Sequence, residues 1–392
     1  MKVTAILETS LKAGGAHNQS LNALLQMKQI CKGHFDFTVL AFDNETVRIL
    51  KERDLEGVLV TFSLLDKVKN KLMLSGIGSK LFSEKTLWPI EEKFLAINTD
   101  LVYFVGPSLL SLQLKNLNFI FTLFDLAHRD NPEFPEVRAF GEFMKREKLY
   151  SDVISQSFLT LTDSEKLSEN ASKFYGVDPA RLLSMPYGPS PDIEFNSISI
   201  SDVREHYKLP DLYFYYPAQF WPHKNHFRIL EALSHLKKSD IHLHLVLSGG
   251  DKGNLDYIRN TVKRLDLNDS VHILGLVPSS HMKALFQGSI AVVMPTYFGP
   301  TNLPPLEAWI LGVPLIYSSH LSDQAGDAAL LVNPDSTESL AAAMRKITNP
   351  EVRKHFIVKG KSRLKTINNK RILSEQKLLE RLLIFEQRRN CW

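Results

Sequence analysis

Along 392 residues, short runs of consecutive apolar positions alternate with longer amphipathic stretches. The runs at 2–7, 36–41, 57–61, 101–105, 118–123, 158–162 and 181–185 predict strands, as do 212–216, 241–247, 271–274, 289–294, 313–317 and 329–332. Several are apolar at every position, as in Ile290-Ala291-Val292-Val293-Met294, which fits strands buried on both faces of a parallel sheet. Helical spacing predicts helices over 16–31, 78–97, 137–155, 164–175, 225–237, 253–265 and 337–347. This alternation argues a doubly wound α/β architecture, and no repeat of fixed period is visible.

A boundary is expected near 188–210. Gly188-Pro189-Ser190-Pro191-Asp192 is rich in turn formers, a Ser-rich stretch at 197–201 follows, and a fresh strand begins at Leu212. We therefore expect domains over 1–195 and 196–370, with 371–392 packing back on the first. The tail from about 350 to 388 reads as one long polar helix or a helix pair.

Composition narrows the class. With 44% hydrophobic and 23% charged residues the chain reads as soluble and globular. No apolar run approaches the roughly 20 residues that span a bilayer. The opening Val3-Thr4-Ala5-Ile6-Leu7 meets Glu8 too soon for a signal peptide and reads as a buried strand. Two cysteines, Cys31 and Cys391, make neither a disulfide framework nor a Cys-rich zinc site, so a reducing cytoplasm is expected. A net charge of +4 is too mild to indicate nucleic acid, but it suits a protein that handles anionic ligands or sits on an anionic surface. Residues 64–88 carry Lys67, Lys69, Lys71, Lys80 and Lys85 among Leu, Met, Ile and Phe. They read either as an interfacial stretch meeting a membrane or as a solvated helix face over a core.

Four segments carry candidate chemistry. Lys12-Ala13-Gly14-Gly15-Ala16-His17 follows the first strand and opens a helix, where glycines let backbone N–H groups approach a phosphate. Phe124-Asp125-Leu126-Ala127-His128-Arg129 sits at the end of a strand, where open α/β sheets bind ligands; acid/base, hydroxyl-binding and phosphate roles are all open to it. Pro217 to His226 forms a proline-bracketed turn that delivers Lys224 to the start of a helix, a place suited to a diphosphate. The most specific is Met294 to Ala308. Its loop N–H groups at Thr301, Asn302 and Leu303 are expected to meet an anion. Glu307, expected in the first helical turn, is placed to accept a pair of hydroxyls such as those of a ribose, unless it only complements the helix dipole.

Together with Thr162-Asp163-Ser164 and Gln324-Ala325-Gly326-Asp327, these segments resemble the GT-B retaining glycosyltransferases of family 4, the glycosyl transferases group 1, over nearly the whole chain. The resemblance implies two Rossmann-like doubly wound parallel-sheet domains facing a central cleft, with the acceptor on the N-terminal and the nucleotide-sugar on the C-terminal domain. It implies that Glu307 holds the ribose and that Lys224 with loop 301–303 holds the diphosphate. Backbone at Gly275, Leu276 and Val277 would meet the base, and Gly14 and Gly15 would face the phosphates.

Three departures from that pattern stand out. The first glutamate of the usual pair is Gly299, His before Asp125 is Phe124, and a basic residue ahead of the lysine is Gln219. They bear on the donor sugar more than on the fold. No Asp-x-Asp triplet is present, so no metal or other cofactor is expected, and charge on the leaving group would be met by Lys224, loop amides and Arg129. The resemblance points to same-face attack without a protein nucleophile, with Asp125 and His128 orienting hydroxyls. The leading expectation is a hexosyltransferase building a bacterial surface polysaccharide such as O-antigen or capsule, acting on a glycan or lipid-linked acceptor. GDP-mannose is the first expectation for the donor, with UDP- and dTDP-sugars after it. The alternatives are an NDP-sugar 2-epimerase and a non-catalytic nucleotide-sugar-binding subunit of a synthase.

Overall fold

The computed structural model describes residues 1–8, 15–74, 85–191, 193–194, 198–299 and 301–391, with side chains at 15–17 and 74 excepted. The chain divides into two compact units. The first comprises Met1–Leu126, Met144–Tyr187 and Arg371–Trp392, and the second Ala127–Phe143 and Gly188–Lys370. This division differs from the expected one in two ways. It falls at 187/188 rather than 195, and it groups 127–143 with the second unit.

The first unit holds seven parallel strands: β1 (Lys2–Leu7), β2 (Asp36–Ala41), β3 (Gly57–Leu59), β4 (Leu101–Phe104), β5 (Asn118–Thr122), β6 (Leu159–Thr162) and β7 (Leu182–Ser184). Their order is β3-β2-β1-β4-β5-β6-β7, all parallel. One face packs Leu21, Leu24 and Met27 against Val3, Ala5 and Val39, and the tail's Leu378, Leu382 and Phe385 join that core. The other packs Phe94, Tyr150, Val153 and Ile154 against Val102, Phe104 and Phe121. Helices on both faces explain why these strands are apolar at consecutive positions. The tail is one helix, Pro350–Arg389, rather than a pair.

The second unit holds six parallel strands: β8 (Phe214–Pro217), β9 (Leu245–Ser248), β10 (Val271–Gly275), β11 (Ala291–Met294), β12 (Leu315–Ser318) and β13 (Leu330–Val332). Their order is β10-β9-β8-β11-β12-β13. Phe214, Tyr215, Tyr216, Val246, Val293 and Ile316 are completely buried. From β8 the chain winds outward through β9 and β10, then returns to lay β11 on the other side of β8. The crevice beyond the ends of β8 and β11 is thus the sheet's topological switch point, where open α/β sheets bind ligands. The loop after β9 must pass close to that after β8. A Cβ on Gly249 would lie 2.2 Å from the Ala218 carbonyl oxygen, so only glycine fits.

All thirteen expected strands form. The one expected from 241 begins at Leu245, after His242 and His244 interrupt the apolar run. The helix expected over 137–155 begins at Glu142, because Phe140 takes a left-handed φ of 55° and breaks the chain direction. Of the helix expected over 78–97, Pro89–Ala96 is described, and 75–84 lies outside the described residues. Helices at Asn44–Glu52, Ile200–Tyr207 and Ser279–Gln287 were not anticipated. Among the described residues no helix is long and apolar enough to cross a membrane.

Candidate functional site

Two loops at the switch point of the second sheet bring the candidate residues together. After β8, Pro222–Lys224 forms a single 3-10 turn, and Asn225 at φ 57° redirects the chain into the helix His226–Lys238. The Asn225 amide fixes this corner by donating to the carbonyls of Pro295 and Pro334. Lys224 therefore stands immediately before a helix, half-buried, and its Nζ donates to Asn302 Oδ1 at 3.1 Å. The neighbouring His226 is fully buried between Tyr216 and Phe220, and burial, then Lys224, push its pKa down to about 3. It stays neutral and adds no second charge beside the lysine.

After β11, the loop leads to Asn302, which precedes the helix Leu303–Ile310. Asn302 is the hub of a buried network. Its Nδ2 donates to the Gly299 carbonyl and to the Tyr317 hydroxyl, both at 2.8 Å. Its backbone exchanges two hydrogen bonds with the Gln324 amide, and Tyr317 in turn donates to Gln324 Oε1. Every donor on the Asn302 side chain is used, which fixes which end of the amide meets Lys224. An amide oxygen orients an ammonium without neutralising it, so this bond positions the lysine beside Asn302. The expectation that the Asn302 N–H meets an anion is corrected here, because Gln324 takes it.

Glu307 lies in the second turn of its helix rather than the first, so helix-dipole complementation does not account for it. It is almost fully buried and accepts a hydrogen bond from the Ser190 hydroxyl. Burial pushes its pKa up to about 7 against the opposing Ser190 bond. A buried carboxylate whose partner is a hydroxyl is a group suited to further hydroxyls.

The remaining expected residues are dispersed. Gly275 ends β10 with φ 71°, its carbonyl accepting from Gly249, and Leu276 beside it is 69% exposed, while Val277 is half-buried. Gln219 accepts from the Trp221 indole at 3.1 Å. Gly299 takes φ 108°, and a Cβ there would lie 2.8 Å from Asn302 Oδ1. Thr301 and Leu303 are half-buried on either side of Asn302. Gly14 lies outside the described residues, and Gly15 is the first residue of the helix Gly15–Cys31. Asp125, in the first unit, pairs with Arg146 at 3.0 Å, a partner with no sequence signature. Phe124 lies over Gly106, where a Cβ would approach its ring to 2.8 Å. His128 and Arg129 sit in the short helix Ala127–Asp130 of the second unit, His128 fully buried against Phe143 and Arg129 half-buried.

Sequence reasoning missed three contributors: Ser190, Tyr317 and the Glu136 carboxylate, which accepts from the backbone N–H and the Nδ1 of His223. Burial pushes the Glu136 carboxyl up, but the His223 ring and backbone outweigh it and hold it below its ordinary value.

The two doubly wound parallel-sheet units have the GT-B fold. Solved structures share it: HepE of Anabaena in complex with UDP and glucose aligns with TM-score 0.71 and 16% identity, covering 97% of this chain and 99% of that one. WaaG, a glycosyltransferase of lipopolysaccharide biosynthesis, aligns at 0.65 with 16% identity, covering 96% and 98%. Residues 201–363, which include Lys224, Asn302, Glu307 and Gln324, match the family model for glycosyl transferases group 1. The O-antigen chain mannosyltransferase RfbU of Salmonella typhimurium is 27% identical over 189 residues, 48% of this chain and 50% of its own length. The O-antigen chain mannosyltransferase B of Escherichia coli is 25% identical over 213 residues, 53% and 56%. The chain thus matches about half the length of these curated relatives.

Proposed function

We propose that the protein is a retaining hexosyltransferase that moves mannose from GDP-mannose to a glycan or lipid-linked glycan acceptor in bacterial surface polysaccharide synthesis. The observation that carries this reading is the gathering of Lys224, Asn302 and Glu307 at the switch point of the second sheet. The two O-antigen mannosyltransferase relatives support mannose ahead of other sugars. Structures with the same fold hold UDP or UDP-glucose, which keeps UDP- and dTDP-sugars as the next donors to try.

In this reading Glu307 accepts ribose hydroxyls and Lys224 meets the diphosphate. As the bond from the anomeric carbon to the phosphate oxygen breaks, negative charge grows on that oxygen, and the Lys224 ammonium stabilises it. The acceptor oxygen bonds to the same face of the sugar, and its proton passes to the departing phosphate. Lysine and helix N-termini supply the positive charge, so no metal takes part. The chain works at the cytoplasmic side of a membrane. The helix Leu64–Leu74 supports contact with that membrane: Leu64 and Leu65 are 81% and 80% exposed, with exposed Val68, Lys67 and Lys71 beside them. Lys80, in 75–84, lies outside the described residues. The test is transfer from GDP-mannose in EDTA, with the anomeric configuration of the product read by NMR. An inverted product, or activity that EDTA abolishes and Mg²⁺ restores, would refute the mechanism.

A further inference from the structure

The carboxylate of Glu136 is held at the edge of this site with one oxygen spent and one unspent. Glu136 lies in the short helix Pro135–Arg138, which belongs with the second unit. Its side chain is 7% exposed. Oε1 accepts from the His223 backbone N–H at 3.0 Å and from His223 Nδ1, which must carry the proton because an ionised carboxylate only accepts. His223 is itself immobilised. Its carbonyl accepts from the Tyr297 N–H at 2.9 Å and the Thr296 hydroxyl at 3.2 Å, and its ring stacks on Phe298 with centroids 3.8 Å apart. Phe134, two residues before Glu136, packs on both Tyr297 and Phe298. Oε2 is buried and, among the described residues, has no hydrogen-bond partner.

A buried charged oxygen without a partner is costly, and such an atom calls for a ligand that donates. Its neighbours narrow the ligand. His223 adjoins Lys224, and Phe298 adjoins Gly299, which brings no side chain. One carboxylate oxygen is too few ligands for a metal ion. Both donors of the nearby Asn302 amide are spent inside the protein. What remains is a neutral donor lying beside a bound diphosphate, and that is a hydroxyl.

We propose that Glu136 is a sugar-hydroxyl-binding residue: Oε2 accepts a hydrogen bond from a hydroxyl of the transferred sugar or of the saccharide acceptor. The assignment rests on the nucleotide-sugar reading above. The carboxylate that recognises the sugar thus comes from segment 127–143, while the nucleotide is held by Lys224 and Glu307.

The test is Glu136→Gln, with Glu136→Asp as a second variant that keeps the charge but withdraws it by one methylene. Calorimetric titration compares the nucleoside diphosphate with its nucleotide-sugar, steady-state kinetics gives KM for donor and acceptor, and thermal melting reports folding. We expect nucleoside diphosphate affinity within twofold of wild type for both variants. If the transferred sugar supplies the hydroxyl, nucleotide-sugar affinity falls roughly tenfold or more; if the acceptor does, the acceptor KM rises by a similar factor. An equal loss of affinity for nucleotide and nucleotide-sugar, with acceptor KM unchanged, would reduce Glu136 to a support for the His223–Lys224 turn and overturn the proposal. So would no change in any of these quantities. Failure of the wild type to bind any nucleotide-sugar would instead refute the donor reading, and the Glu136 assignment with it.

Discussion

The Ser190 hydroxyl donates to the Glu307 carboxylate across 117 residues of sequence. A protein hydroxyl sits where, in our reading, a ribose hydroxyl would bind. Burial raises the Glu307 pKa to about 7, which gives two pH effects. An acid with a raised folded-state pKa binds its proton more tightly folded than unfolded, so its contribution to stability is present at low pH. That contribution is lost as pH rises from about 4.5 through about 7. Glu307→Gln should flatten the thermal stability profile across that window. Affinity for a nucleotide-sugar, whose diphosphate diester does not titrate there, should rise from pH 6 to pH 8 in wild type and stay level in Glu307→Gln. A level wild-type profile would show that Glu307 is not the ribose acceptor.

Lys224→Ala should hurt turnover more than donor binding. In the ground state the diphosphate charge is spread, whereas in the transition state it concentrates on the leaving oxygen. Loss of the ammonium should lower kcat roughly a hundredfold or more, with a smaller rise in donor KM. Lys224→Arg should not restore wild-type kcat, because the planar guanidinium presents a different geometry to Asn302 Oδ1. Unchanged kcat with a raised KM would move the leaving-group role to another cation.

Gly299→Ala should weaken nucleoside diphosphate binding although alanine is small and neutral. Its Cβ would lie 2.8 Å from the Asn302 amide, and φ 108° is a backbone conformation that strains any other residue, at a cost on the order of 1–3 kcal/mol. Displacing Asn302 removes the hydrogen bond that positions Lys224. Calorimetric titration checks it, and wild-type affinity would mean that Asn302 does not hold the lysine for its ligand. For the same reason, restoring a glutamate at 299 alone should not improve activity.

Glu91 makes a separate prediction about stability. It is fully buried in the first unit, at the start of the helix Pro89–Ala96, and its Oε1 accepts the backbone N–H groups of Lys115, Asn116 and Leu117. Glu91→Ala strands three donors and should cost on the order of 3 kcal/mol, and Glu91→Gln should cost less because a carbonyl oxygen remains. Denaturant unfolding measures both. Equal loss in the two variants would show that the carboxylate charge, rather than the oxygen, is what the turn requires.

The central strands were the most legible because several are runs such as Ile290 to Met294, buried on both sheet faces and so apolar without interruption. Lys224, Asn302 and Glu307 were legible because each sits in a local pattern of turn, strand end or helix start. What sequence could not offer was pairing at a distance. Glu136 meets His223 across 87 residues, and nothing in Pro-Glu-Val-Arg marks it. Tyr317 reads as one more apolar strand position, and its hydroxyl matters only because Asn302 and Gln324 converge on it. Segment 127–143 lies between elements of the first unit in sequence, so its membership of the second was not visible either.

The central claim is that the second unit binds a nucleotide-sugar through Lys224 and Glu307. Thermal shift of the wild type, Lys224→Ala and Glu307→Ala across GDP-mannose, UDP-hexoses and dTDP-rhamnose tests it directly. A bound donor at a hundredfold excess over its Kd should stabilise the wild type by about 2.7 kcal/mol. The account predicts that at least one donor does so, GDP-mannose first, and that both variants lose most of the shift. A wild type that none of these donors stabilises, or a shift that survives in both variants, would contradict it.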